Sequence, residues 1–170
     1  NRLLIIAGPG SGKTTVLTRR IAYLIKETGV PAGNCLAITF TRRAAGEMRE
    51  RLHKLLPDNA EYINIHTFHS LCLSILKENY EKAGLSEDFK VISEQERTLY
   101  KEEELTKDML VFDDLITLTV KLFEDYPEIA QKYREQFKYL SVDEYQDISR
   151  QRFDLVKAFS EVTSAKVMAV

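Results

Sequence analysis

The segment from Ala7 to Thr14 carries the clearest chemistry in this 170-residue chain. It reads Ala-Gly-Pro-Gly-Ser-Gly-Lys-Thr and follows the apolar residues 3–6 directly. Glycines let backbone N–H groups converge on phosphate oxygens, the lysine adds a cation near the β and γ phosphates, and the threonine hydroxyl is a ligand for Mg²⁺. A site for a nucleoside triphosphate is therefore predicted. Its residues are Ala7, Gly8, Pro9, Gly10, Ser11, Gly12, Lys13, Thr14 and Thr15.

A second chemical segment, Asp143-Glu144, follows the apolar residues 139–142. A phosphate loop needs a carboxylate at the end of another parallel strand to help hold Mg²⁺. We expect Thr14 and Asp143 to bind the metal and Glu144 to act as the general base on the attacking water. Gln146 would position that water. Lys13, Glu144 and Gln146 are thus the predicted catalytic residues.

Strands and helices that alternate along the chain would position these residues. Apolar runs predict strands at residues 3–6, 35–40, 62–66, 139–142 and 166–170. Helical periodicity predicts a helix from Lys13 with Val16 on its buried face, and others at residues 44–56, 68–83 and 149–159. Strands separated by helices indicate an α/β fold, with a parallel sheet and helices on both faces.

Between residues 68 and 137 the periodicity predicts helices and no strands, with Asp113 as the N-cap of one and Pro127 as the start of another. We interpret this stretch as a helical insertion between the third and fourth strands. The predicted organisation is therefore a nucleotide-binding domain in two parts, residues 1–67 and 138–170, with the insertion at 68–137.

Composition bounds the remaining possibilities. The net charge of −2 gives no overall attraction to nucleic acid, so such binding needs a local patch. The sequence contains no apolar run near the roughly 20 residues that span a bilayer, which favours a cytoplasmic protein without a membrane partner. Cys35 and Cys72 lie in apolar patterns without metal-ligand spacing and are expected to be inert core thiols.

Four segments together resemble a known family. Residues 39–52 resemble motif Ia of the superfamily 1A DNA helicases of the UvrD/Rep/PcrA type, with the pattern T-F-T-N-K-A-A-x-E-M-x-x-R. Residues 67–71 resemble their motif Ib, residues 142–147 their Walker B motif, and residues 7–14 their alanine-first phosphate loop. The resemblance implies a RecA-like P-loop NTPase domain, the first motor domain of an ATP-dependent DNA helicase that moves 3'-to-5' on single-stranded DNA with Mg²⁺ and ATP.

The same resemblance implies a set of DNA-binding residues: Phe40, Thr41, Arg42, Thr67, Phe68 and His69. A phenylalanine at the end of a strand can stack on a base, and hydroxyl and guanidinium groups can hold phosphates. Two alternatives stay open from the residues alone. Phe40 could be a core residue, and His69 could cap a helix or pack.

The chain departs from the family pattern at several places. Thr15 stands where an arginine near the base or ribose is usual, and Arg42-Arg43 replaces Asn-Lys. The helical subdomain 1B is represented only by its two flanks, so its middle is predicted to be absent around Leu105 and Thr106. Both chain ends suggest an excised piece, with the second RecA-like domain and its arginine fingers outside it. Such a fragment should hydrolyse ATP poorly by itself.

Three other functions fit part of the pattern. The motor of a helicase-nuclease in recombinational repair uses the same motifs. A nucleotide-sensing DNA-binding module would keep the site without productive turnover, although intact Lys13, Thr14, Asp143 and Glu144 argue against it. A small-molecule kinase would need the phosphate loop but not the segments around Phe40 and Phe68.

Overall fold

A computed structural model describes residues 3–4, 12–160 and 166–169, and its main feature is a five-stranded parallel sheet. The strands lie in the order β1-β7-β6-β2-β3. They are β1 (Leu3–Leu4), β2 (Cys35–Thr39), β3 (Asn64–Thr67), β6 (Tyr139–Val142) and β7 (Lys166–Ala169). The predicted parallel sheet is confirmed.

The helices cover both faces of this sheet. They are α1 (Lys13–Lys26), α2 (Arg42–Leu55), α3 (Phe68–Glu78), α4 (Glu94–Arg97), α5 (Phe112–Asp125), α6 (Pro127–Gln136) and α7 (Arg150–Ser160). Alternate residues of β2 point to opposite faces, so Leu36 and Ile38 join a core with α3, α5, α6 and α7. Cys35 and Ala37 join a second core with α1 and α2. Every residue of β2 is buried, as expected for a central strand covered on both sides.

The insertion differs from its prediction. Two short strands, β4 (Lys90–Val91) and β5 (Met109–Leu110), pair in parallel within the stretch that was expected to contain helices alone. Each strand has only two residues, too few for a period of two to be visible in the sequence. The prediction of a purely helical insertion was wrong.

Three local predictions also need correction. Helix α3 ends at Glu78 rather than near residue 83, because the chain turns through Asn79 before Gly84. Helix α5 has Val111 as its N-cap, and Asp114 rather than Asp113 accepts the Val111 N–H at 2.9 Å. Val16 is 43% exposed and does not belong to the buried face of α1.

Both cysteines are buried in the two cores. Burial raises the pKa of the Cys35 thiol to about 11 and that of Cys72 to about 12. Both thiols are therefore protonated near neutral pH and behave as small apolar groups.

Candidate nucleotide site and adjoining groove

Helix α1 begins immediately after Gly12, the last glycine of the predicted phosphate loop. Gly12 has a φ of 82°, in the left-handed region where a side chain is strained, so the glycine suits this position. Free N–H groups at a helix N-terminus favour an anion there. Of the predicted nucleotide-binding residues, 7–11 lie outside the described residues, whereas Gly12, Lys13, Thr14 and Thr15 lie at this helix start.

Thr14 and Asp143 meet although 129 positions separate them in sequence. The Thr14 hydroxyl donates a hydrogen bond to Asp143 Oδ2 at 3.0 Å. Asp143 reaches this place because β6 pairs with β2 and the Asp143 N–H extends the pairing, donating to the Ile38 carbonyl at 3.0 Å. The two predicted metal-binding residues are therefore brought together at the carboxyl edge of the sheet.

The environment of Asp143 suits a metal ligand. The residue is 3% exposed, and this burial raises the pKa of its carboxyl group, while the Thr14 hydroxyl and the Glu144 N–H oppose the shift. The described residues contain no group of three or more acidic, histidine or cysteine side chains that could hold a metal. One carboxylate and one hydroxyl fit Mg²⁺, which prefers oxygen ligands and takes the rest from phosphates and water.

Glu144 follows Asp143 in an unusual backbone conformation. Its φ is 53°, in the left-handed region that is strained for a residue other than glycine, and such strain clusters at functional sites. Gln146 Nε2 donates to Glu144 Oε2 and, at 3.4 Å, to Asp147 Oδ2. The two predicted catalytic side chains Glu144 and Gln146 are thus hydrogen-bonded, and Lys13 lies near enough to lower the pKa of Asp143.

Thr15, the residue that departs from the family pattern, has a cationic neighbour. Arg51 of α2 donates from Nη1 to Thr15 Oγ1 at 3.2 Å. A guanidinium group therefore lies beside the start of α1, although it comes from a different helix than the family pattern suggests.

A groove of about 550 Å³ lies beyond the ends of β2 and β3. It is lined by Phe40, Arg42, Thr67, His69, Ser70, Leu73, Val91, Phe112 and Leu115. Four of the six predicted DNA-binding residues are among them. The groove is therefore the place where the predicted motifs Ia and Ib meet.

Phe40 and Phe68 leave the sheet side by side because Thr39 pairs with Thr67. Their ring centroids are 5.5 Å apart with the planes at 71°. The Phe40 ring is half-buried and borders the groove, whereas Phe68 is only 1% exposed and belongs to the core. In this arrangement the Phe68 ring packs against the Phe40 ring, and its 1% exposure leaves it little surface to offer to DNA. The assignment of Phe68 to DNA binding stays a prediction.

The polar residues of the two motifs have mixed roles. The Thr41 hydroxyl accepts the Ala44 N–H at 3.0 Å as the N-cap of α2, and Thr67 caps α3 in a reciprocal pair with Ser70. Arg42 is exposed at the first turn of α2. His69 has a buried Nε2 without a hydrogen-bond partner in the described part of the chain, and its ring lies 5.5 Å from that of Phe112.

Sequence reasoning missed the wall that the insertion gives to the groove. Val91 and Leu115 supply apolar surface, and Phe112 presents a ring that is 50% exposed. A large exposed aromatic residue at the start of a helix was the available signal for Phe112. The position of Phe112 beside His69 is visible only in the folded chain.

The described residues include no helix that is long and apolar enough to cross a membrane. The fold and the pairing of Thr14 with Asp143 define an α/β nucleotide-binding domain with a groove beside its nucleotide site. The family model for the UvrD/REP helicase N-terminal domain matches residues 1–110 and 97–170, so the chain belongs to this family.

Curated relatives agree with this assignment. The chain is 36% identical over 211 residues to the ATP-dependent DNA helicase PcrA of Staphylococcus aureus, and 35% identical over 215 residues to that of Bacillus subtilis. The matches cover 91% and 94% of this chain but 29% of each relative. The chain therefore spans less than a third of these helicases.

The alignments also show that this chain is shorter than the matching part of its relatives. The alignments, at 211 and 215 residues, exceed the 170 residues of the chain, so the relatives have residues that it lacks. The two segments matched by the family model overlap at residues 97–110, inside the insertion. A shortened segment near Leu105 and Thr106 stays a prediction.

Proposed function

We propose that this chain is the ATP-binding motor domain of a DNA helicase that moves 3'-to-5' along single-stranded DNA. The observation that carries the proposal is the hydrogen bond between Thr14 and Asp143 at the sheet edge that also borders the groove. The direction of movement and the preference for single strands rest on the resemblance of the four motifs.

On the nucleotide side, the N-terminus of α1 and Lys13 would bind the phosphates of ATP. Thr14 and Asp143 would hold Mg²⁺, which neutralises charge on the phosphates when it is bound. Glu144 would take the proton of the attacking water, and Gln146, already bonded to Glu144, would orient that water.

On the groove side, Phe40 offers a half-exposed ring to a base, and Arg42 offers a cation to the backbone. His69 and Phe112 also line the groove, and the buried His69 Nε2 has no hydrogen-bond partner among the described residues. A single strand suits this groove better than a duplex, because a base must be unpaired to present its face to Phe40.

The domain organisation belongs to the proposal. Residues 1–67 and 138–170 would form one RecA-like domain, and residues 68–137 the insertion with the remnant of subdomain 1B. A second RecA-like domain would close over the nucleotide and add the arginine fingers. ATP hydrolysis by the 170-residue chain alone is then expected to be slow.

The test is the Glu144→Gln variant of the complete protein, with Glu124→Gln on the exposed face of α5 as its matched control. Loss of a general base should lower DNA-stimulated hydrolysis by about 10²- to 10⁴-fold while ATP binding persists. The control should hydrolyse ATP normally. Near-normal turnover by Glu144→Gln would remove Glu144 from its assigned role.

A further inference from the structure

Arg152 lies against the aromatic pair beside the groove, although no motif includes it. Its guanidinium carbon is 4.9 Å from the Phe40 ring centroid and 5.7 Å from that of Phe68. Both distances are within the range of a cation–π contact. The guanidinium therefore packs on the Phe40 ring, which is half-buried and borders the groove, and next to the buried Phe68 ring.

The neighbouring arginine of the same helix behaves differently. Arg150 is 87% exposed at its side chain and pairs with Asp154 at 3.3 Å, an ordinary surface contact one turn apart. In the part of the chain that the structure describes, Arg152 forms no ion pair with a carboxylate. Its position is therefore explained by the two rings and not by a surface salt bridge.

The charge of Arg152 also acts on His69, which lines the groove. Burial is the main cause that lowers the pKa of His69, the Arg152 charge lowers it further, and Asp113 acts in the other direction. A cation close enough to affect His69 adds positive potential where the nucleic-acid backbone would pass.

Arg152, which contacts Phe40, lies close in sequence to the proposed general base Glu144. It lies in the first turn of α7, after the short 3-10 helix Tyr145–Asp147 that follows Glu144. Eight positions thus separate the proposed general base from the guanidinium that touches Phe40.

We propose that Arg152 is a positioning residue that holds the Phe40 ring ready for a base. The inference rests on the proposed binding of single-stranded DNA in the groove. It assigns Arg152 an effect that passes through Phe40, so removing either side chain should remove most of what the other contributes.

The experiment is a double-mutant cycle in the complete protein with a fluorescent oligo-dT as the probe. The variants are Arg152→Gln, Phe40→Ala, their combination, and Arg150→Gln as the control with the same change of charge on the same helix. Arg152→Gln should weaken oligo-dT binding by about three- to thirtyfold, the range of a partly desolvated cation–π contact. Arg150→Gln should change it less than twofold.

The non-additivity is the decisive result. In the Phe40→Ala background, Arg152→Gln should have less than a twofold further effect on oligo-dT binding. The Arg150→Gln control should leave DNA-free ATP hydrolysis unchanged. In addition, Arg152→Gln should raise the pKa of His69 in an NMR titration, because it removes a nearby positive charge. An unchanged pKa would show that the guanidinium does not lie beside these rings and would overturn the inference. If Arg152→Gln does not fold, Arg152→Lys carries the same cycle, because it keeps the charge but loses the planar stacking.

The outcomes separate the inference from the proposed function. Weakened binding by Phe40→Ala with no effect of Arg152→Gln would overturn the role of Arg152 alone. Equal losses from Arg152→Gln with and without Phe40 would also overturn it, because Arg152 would then act independently of Phe40. Unchanged binding by Phe40→Ala would instead refute the groove as the strand site.

Discussion

The nucleotide side and the groove side of the sheet edge are built from different interactions. On the nucleotide side, Thr14 and Asp143 are joined by a hydrogen bond of 3.0 Å, and Glu144 is bonded to Gln146. On the groove side, Phe40 is held by the edge of the Phe68 ring and by the Arg152 guanidinium. Hydrogen bonds position the side chains of the nucleotide site, whereas ring contacts position Phe40 in the groove.

This difference separates residues that act from residues that support. The polar groups on the nucleotide side are themselves the proposed ligands, so each one is both positioned and functional. The two phenylalanines of motifs Ia and Ib lie in contact but differ in exposure. Phe40 lines the groove, whereas Phe68 is 1% exposed and belongs to the core. Identical residue types therefore predict different consequences when they are removed.

The largest expected effect comes from Phe68. Phe68→Ala should lower the free energy of unfolding by about 3–5 kcal/mol, because it leaves a cavity in the core. Phe40→Ala, the same chemical change on a half-exposed ring, should cost about 1 kcal/mol. Urea unfolding of the chain measures both. Equal losses of unfolding free energy in the two variants would contradict the assignment of Phe68 to the core and of Phe40 to the groove.

A smaller effect is expected from Thr14. Thr14→Val removes the hydroxyl that bonds Asp143 while keeping the shape of the side chain. The affinity for ATP with Mg²⁺ should fall about tenfold, because Mg²⁺ would lose one of its oxygen ligands, and the affinity without Mg²⁺ should change less than twofold. Calorimetric titration measures both.

Thr28→Val is the control for this prediction, since Thr28 lies just beyond the end of α1 and its hydroxyl donates to the Leu24 carbonyl within that helix. It should leave ATP binding unchanged with and without Mg²⁺. An equal loss for Thr14→Val in the absence of Mg²⁺ would show that the hydroxyl serves the fold or the phosphates and not the metal.

Much of the fold could be predicted because its strands are apolar runs bounded by clear stops. The continuous apolar run at residues 35–40 predicts a buried strand, and β2 is buried at every residue. The strands β4 and β5 could not be predicted in the same way, since two residues contain no period and their pairing depends on chain positions 19 apart. The end of α3 was misjudged because apolar residues continue into the turn after Asn79.

The site divides in the same way. Thr14, Asp143 and Glu144 could be predicted because their chemistry is a property of the residue type and the strand end. Arg152 could not, since it reaches Phe40 only after α7 has packed against the sheet. Phe68 was assigned to DNA by its motif, whereas the folded chain places its ring in the core, which the motif alone does not indicate.

The most direct test of the account is the DNA dependence of ATP hydrolysis by Phe40→Ala in the complete protein, with Tyr62→Ala as an exposed aromatic control beyond the amino end of β3. Loss of one base-stacking contact is worth about 1–3 kcal/mol, so the oligo-dT concentration for half-maximal stimulation should rise about five- to 150-fold. The DNA-free rate and the control should not change. An unaltered dependence on oligo-dT would contradict the account.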